Sequence, residues 1–298
     1  MTEWCDGGAG TLKRTIGLPL LSSVGDGCGE SPAPARRAPR TPANGRRTLA
    51  VDAPTADSAL PAAPARERLV DSHGRVITDL RLSITDRCNF RCVYCLDPGV
   101  RFAPPRTLLS VDEMLLLAEV CVDLGIDRIR VTGGEPTLHP ELERILRSLS
   151  SLPLRDLSMT TNGALASRDS MRRWRDAGLR RLTFSLDAVS ERGFERITRS
   201  RVPVSTVIEA IETAIELGLS PVKVNAVVMR GRNEEEVPAL AALSRRLGFE
   251  MRFIEYMPLD SGRRWDATLL VTAEEILARA AEAGSLRAIG RDERQSTS

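Results

Sequence analysis

The sequence predicts an α/β chain whose parallel sheet closes into a barrel or partial barrel. Three observations predict it. Six strand-length apolar runs recur from residue 80 onward: Leu80–Ile84, Ile126–Val131, Leu154–Met159, Leu182–Leu186, Val222–Met229 and Met251–Met257. Stretches with helical periodicity or helix caps lie between them. The part of the chain that carries this pattern is about 230 residues long, the size of a barrel domain. Strand, helix and strand repeated in this way make βαβ units and hence a parallel sheet.

Taken in order, residues 1–68 precede the pattern and read as a disordered Pro/Ala/Arg-rich tail. They hold eight of the 18 prolines, eight of the 22 glycines and one aromatic residue, Trp4. Such a segment buries too little apolar surface to offset its ordering entropy. Cys5 and Cys28 within it read as incidental thiols. The core barrel is expected over 69–284, and 285–298 as a polar C-terminal end. Ser110 and Glu113 make a capping box ahead of Met114, Leu117, Ala118, Cys121 and Val122, and Gly125 ends that helix. Pro140 is expected at the first position of the next helix, whose stripe is Leu142, Ile145, Leu146 and Leu149. Val207, Ile211, Ala214 and Ile215 form another stripe, stopped at Gly218. Thr272 and Glu275 cap a last helix that ends at Gly284. Most of the apolar runs read as too uniformly apolar to keep a wet face, as expected of buried parallel strands.

Composition narrows the function classes. Hydrophobic residues at 42% and charged residues at 28% fit a soluble globular protein. No run of about 18 apolar residues suits a membrane span. The stretch Ile16–Leu21, preceded by Glu3 and Asp6, is a poor secretory signal, so a cytoplasmic location is expected. Six cysteines in 298 residues do not make a disulfide scaffold and point to metal or redox chemistry. Residues 1–68 hold nine basic and seven acidic groups, which leaves 33 of each in the remainder. A neutral core lacks the broad positive field that nucleic acid selects, so any anion site must be local.

The chemistry-bearing motif follows the first run. Between Arg81 and Cys95 the spacing is C-x3-C-x2-C, at Cys88, Cys92 and Cys95. Three thiolates so close together can converge on one metal centre. A structural zinc would want a fourth ligand. His73 is the nearby upstream histidine, and Cys121 falls on a helix face. Three ligands suit a cubane iron–sulfur cluster with one iron open. A zinc knuckle and stray cysteines remain the alternatives. Other runs also end in polar or kinking groups: Gly133-Gly134-Glu135-Pro136, Thr160-Thr161-Asn162-Gly163, Ser185-Leu186-Asp187-Ala188 and Arg252–Pro258. Lys223 stands apart because the 42 basic residues include two lysines, Lys13 and Lys223. A lysine kept inside a strand of so Arg-biased a chain reads as a wanted point charge, against the alternative of a snorkelling surface residue.

The cysteine loop, placed directly after the first strand, resembles that of the radical S-adenosylmethionine (SAM) superfamily. The resemblance implies a partial (β/α)6 TIM-like barrel and a 4Fe–4S cluster on Cys88, Cys92 and Cys95. It also implies that SAM chelates the fourth iron and is cleaved by one electron to a 5′-deoxyadenosyl radical, and that the Gly-Gly-Glu-Pro element meets the SAM amino group. The segment from Leu80 to Cys92, the ordered strand ends and Arg252-Phe-Ile-Glu-Tyr-Met257 resemble more narrowly the GTP 3′,8-cyclases of molybdenum cofactor biosynthesis. This match runs over about Val70 to Met257 and more weakly to Gly284. It implies SAM contacts at Tyr94, Gly134, Ser185 and Met257, and GTP contacts at Arg81, Arg130, Thr160 and Lys223. Two guanidinium forks and an ammonium suit a triphosphate. No catalytic residue beyond the cluster ligands is implied. The partners implied are GTP as substrate, a flavodoxin-like or ferredoxin-like electron donor and a downstream cyclic pyranopterin monophosphate synthase; a homodimer is left open. The family carries a second cysteine triad for a second 4Fe–4S cluster, yet no cysteine follows Met257 here. The expectations that remain open are a truncated or frameshifted family member, a divergent enzyme with another substrate such as a peptide, a chain completed by a partner, and a non-catalytic cluster- or zinc-binding remnant.

Overall fold

The computed structural model describes residues 68–95, 99–258 and 265–288. The chain divides into two units, Met1–Leu60 and Pro61–Ser298, and the described residues all belong to the second. The expected tail up to residue 67, with Cys5, Cys28 and Lys13, lies outside the described residues, as does the polar end from 289. Among the described residues no helix is long and apolar enough to cross a membrane.

Six strands form one parallel sheet in the order β1-β2-β3-β4-β5-β6. They are β1 (Asp79–Ser83), β2 (Arg128–Thr132), β3 (Asp156–Thr161), β4 (Arg181–Ser185), β5 (Lys223–Val228) and β6 (Glu250–Glu255). Each neighbour follows its predecessor in sequence, and β6 does not pair back onto β1, so the barrel is partial. Among the described residues seven helices pack on one face, six between the strands and the last after β6: α1 (Val111–Asp123), α2 (Leu142–Ser150), α3 (Arg168–Asp176), α4 (Glu191–Thr198), α5 (Val204–Glu216), α6 (Val237–Leu247) and α7 (Ala273–Glu282).

The strands differ from the uniformly apolar runs that were expected. Their first residues alternate polar and apolar, although β5 and β6 become apolar on both faces toward their ends. Leu80, Ile129, Leu157, Leu182 and Val224 pack against the helices in the main core. Their neighbours on the opposite face are polar or charged, and the first residue of every strand is ionisable: Asp79, Arg128, Asp156, Arg181, Lys223 and Glu250. Period-two alternation sends successive side chains to opposite faces, so the apolar set is dry outside the curve and the polar set lines its interior.

The helices follow their caps. Ser110 with Glu113 and Thr272 with Glu275 form the two predicted capping boxes. Two expectations need correction. Leu117 is 50% exposed, because the buried stripe of α1 is Val111, Met114, Ala118 and Val122, and Leu117 falls beyond its edge. Pro140 is not the first residue of α2. A short 3-10 turn at Pro136–Leu138 carries the chain past it, and the helix starts at Leu142. α3 is so charged that it buries Met171 and Trp174 alone, which is why its period is faint in sequence.

Candidate functional site

The cysteine loop leaves β1 and is held at both ends. At its start it packs on the turn after β2: Gly134 N–H donates to Thr85 O at 2.6 Å and Glu135 N–H to Arg87 O at 2.7 Å. A Cβ on Gly134 would lie 2.2 Å from Arg87 O, so a side chain there would push the loop away. The paired glycines were expected to let backbone approach a ligand; in the structure their closest neighbour is the cysteine loop itself. At its far end, Arg91 and Val93 N–H donate to Thr198 O and Ile197 O at the end of α4. Phe90 stacks edge-on against Phe194, with centroids 5.8 Å apart.

Cys88, Cys92, Cys95, Tyr94, Gly134, Thr160 and Ser185 line one cavity of about 220 Å³ at the C-terminal ends of the strands. Burial pushes all three thiols up, Cys92 furthest, and each is raised further by the charges of its sulfur neighbours or of nearby carboxylates. Three thiolates can share this space when a cationic centre offsets them. Among the described residues, no group of three or more His, Cys, Asp or Glu side chains is arranged to hold a single metal ion. Cys88, Cys92 and Cys95, brought together on one cavity, match the three-cysteine donor set of a cubane cluster with one iron open.

Two carboxylates organise the cavity wall. Glu135 accepts from Thr137 N–H at 3.1 Å, Thr137 Oγ1 at 2.7 Å, Thr161 Oγ1 at 2.8 Å and Asn162 N–H at 2.7 Å. Those bonds occupy its oxygens and clamp the end of β2 to that of β3. Asp187 is buried and accepts from Tyr94 Oη and from Val227 N–H, both at 2.8 Å. Burial is the main cause that raises its carboxyl to about 6. The Tyr94 hydroxyl is thus engaged inside the protein. Asn162 donates to Asn89 Oδ1 at 2.8 Å and points the same amide toward Cys88 Sγ at 4.0 Å.

A second cavity, of about 250 Å³, lies at the opposite ends of β1 to β4. Arg81 and Arg130 line it together with Arg128, Arg181, Asp79 and Asp156. Arg128 pairs with Asp79 at 3.1 Å, and Arg181 grips Asp156 with two nitrogens. Lys223 pairs with Glu250 at 3.1 Å, and Arg252 Nε meets the other Glu250 oxygen at 2.7 Å. Lys223 is a partly buried, ion-paired residue, not a snorkelling one. The four residues expected at GTP are therefore divided: Arg81 and Arg130 in this floor, Thr160 in the upper cavity, and Lys223 beside the floor but outside its lining. Met257 lines neither cavity. Sequence reasoning passed over Arg128, Arg181, Asp156 and Glu250, and met Asp187 only as one of the polar groups at a strand end. The signal that could have found the first four is an ionisable residue opening each strand.

Residues 82–243 match the family model described as the Radical SAM superfamily. Among curated proteins, the GTP 3′,8-cyclase of Acidothermus cellulolyticus is 44% identical over 215 residues, 70% of this chain and 59% of that one. The mitochondrial GTP 3′,8-cyclase of Arabidopsis thaliana is 43% identical over 216 residues, 72% of this chain and 55% of that one. The chain thus spans less than three fifths of the length of these two relatives. Among solved structures, TYW1 with a lysine-pyruvate adduct aligns with a TM-score of 0.55 at 16% identity, over 72% of this chain and 77% of that one. SuiB of Streptococcus suis bound to S-adenosylmethionine aligns at 0.52 and 16% identity, over 65% of this chain and 42% of that one.

Proposed function

The chain belongs to the radical SAM superfamily, and from that premise we propose that it acts as a GTP 3′,8-cyclase. The observation that carries this reading is the polarity of the barrel interior. One end presents three cysteines, and the other presents a cationic floor around Arg81 and Arg130. A substrate that reacts at the top while its anionic end lies at the bottom suits that arrangement. A nucleoside triphosphate has this form, with its negative charge concentrated at one end where guanidinium forks can bind it.

In this reading Cys88, Cys92 and Cys95 hold the 4Fe–4S cluster. Once bound, the cluster supplies the electron that cleaves SAM to a 5′-deoxyadenosyl radical. Gly134, Ser185, Met257 and the backbone and ring of Tyr94 bind SAM. Asp187 keeps the Tyr94 ring in place through its hydroxyl. Arg81, Arg130, Thr160 and Lys223 bind and orient GTP, Lys223 with its ammonium aimed by Glu250. In the proposed reaction the 5′-deoxyadenosyl radical would take the hydrogen from ribose C3′, the C3′ radical would add to guanine C8, and one further electron from the donor with one proton would complete 3′,8-cyclo-7,8-dihydro-GTP, the opening step of molybdenum cofactor formation. A flavodoxin-like or ferredoxin-like protein would donate the electron, a cyclic pyranopterin monophosphate synthase would take the product, and free thiols suit a reducing cytoplasm.

Anaerobic reconstitution with iron and sulfide, then dithionite, SAM and GTP, tests the proposal. The expected products are 5′-deoxyadenosine and a cyclic nucleotide derived from GTP. Formation of 5′-deoxyadenosine alone would reject the cyclase; its absence would reject the radical chemistry.

A further inference from the structure

Two buried donors at the barrel floor have no acceptor among the described residues: Arg130 Nε and Arg181 Nη1. Both side chains line the cavity of about 250 Å³. The resemblance names Arg130 among the GTP contacts and does not name Arg181. Arg181 opens β4, and its side chain is 15% exposed. Asp156 on the neighbouring strand receives Arg181 Nε with both oxygens, at 3.0 and 2.9 Å, and Arg181 Nη2 with one of them. A guanidinium is a rigid planar fork, so fixing Nε and Nη2 also fixes the direction of Nη1. A buried N–H of a cation left without an acceptor is costly, and an anionic oxygen is the group that best relieves it.

The surroundings favour an anion as well. Arg81, Arg128 and Arg130 line the same space, against two acids, Asp79 and Asp156. Arg181 lies four residues before Ser185 on β4, about 13 Å along the strand from the upper cavity. A ligand whose sugar sits beneath the cysteine loop would bring its distal phosphates, not its sugar, to this depth.

We propose that Arg181 is a further phosphate-binding residue, taking an oxygen of the distal phosphates of a nucleoside triphosphate, and that Asp156 is the positioning residue that aims it. The nucleotide part of this inference rests on the GTP reading above; the anion site stands on its own geometry.

The test is calorimetric titration of the reconstituted full chain with GTP, GMP and inorganic tripolyphosphate. Arg181→Gln should weaken GTP and tripolyphosphate by about 10- to 100-fold, the range for a hydrogen bond to a charged group, and leave GMP unchanged. Arg181→Lys keeps the charge without the fork and should recover part of that loss; it carries the test if the Gln variant does not fold. Asp156→Asn separates aiming from bulk charge. Loss of an acid would by itself tighten anion binding, whereas loss of the fork's anchor should weaken GTP and tripolyphosphate. Unchanged or tighter binding by this variant overturns the positioning role. Wild-type affinity for tripolyphosphate in Arg181→Gln, or no tripolyphosphate binding by the wild type, overturns the phosphate role. Tripolyphosphate binding that depends on Arg181, with no binding of GTP or GMP, upholds the anion site and rejects the GTP reading instead.

Discussion

The carboxyl of Asp187 lies out of water between the Tyr94 hydroxyl and the Val227 amide. Burial holds it at about 6, against an ordinary value of 3.8. The folded chain therefore keeps a proton that the unfolded chain releases. The stabilising difference is fully present below about pH 4 and is lost as pH rises to about 6, a change of about 3 kcal/mol for the cluster-free chain. Asp187→Asn should flatten that fall. Urea midpoints at pH 4.5, 5.5 and 7 check it, and a slope in the variant equal to that of the wild type would assign the effect to another group. The sequence marks Asp187 as a polar strand end. It says nothing of Tyr94, 93 residues away, because hydrogen-bond partners at that distance are chosen by the fold.

Two elements carry their own predictions. The turn after β2 exists to let the cysteine loop pack on it, so Gly134→Ala should lower the iron bound per chain after reconstitution. A Cβ 2.2 Å from Arg87 O has to displace backbone and not a flexible side chain. Iron analysis and the visible absorbance report it; wild-type iron content would show that the loop tolerates the shift. The last helix depends on its cap. Thr272 Oγ1 accepts from Glu275 N–H, and the Glu275 carboxylate returns to Thr272 N–H and meets Arg230. Thr272→Ala should destabilise α7 by about 1 kcal/mol, seen as faster amide exchange over Ala273–Glu282. This box was legible in sequence because Thr272 and Glu275 lie within one turn, whereas the Arg230 partner was not. The start of α2 was not, because Pro140 obeys the turn before it and not the helix after it.

At the scale of the molecule, the partial barrel is a sheet with a dry convex face and a charged interior. Its six ionisable strand-opening residues are arranged so that Asp79, Asp156 and Glu250 each neutralise a basic neighbour one strand away. The cysteine loop that leaves β1 is bonded to the turn after β2 and to the end of α4, so what orders the loop also ties these elements together. Cluster incorporation should therefore raise the melting temperature, and iron chelation should return it to the apo value. Cys92→Ala should abolish both the brown chromophore and the increase, since two thiolates rarely hold a cubane. Calorimetric scans before and after reconstitution check this, and a variant that still gained stability would point to another ligand set.

Sequence by itself determined the cysteine spacing, the helix caps and the order of strand and helix, because each depends on residues a few positions apart. Tertiary structure decided which face of each strand turns inward, that Asp156 grips Arg181 across 25 residues, and that Gly134 yields space to Arg87. The physical reason is register. In a sheet a shift of one residue sends every side chain to the other face, so partners across strands exist once the strands are paired, and no local pattern can name them beforehand.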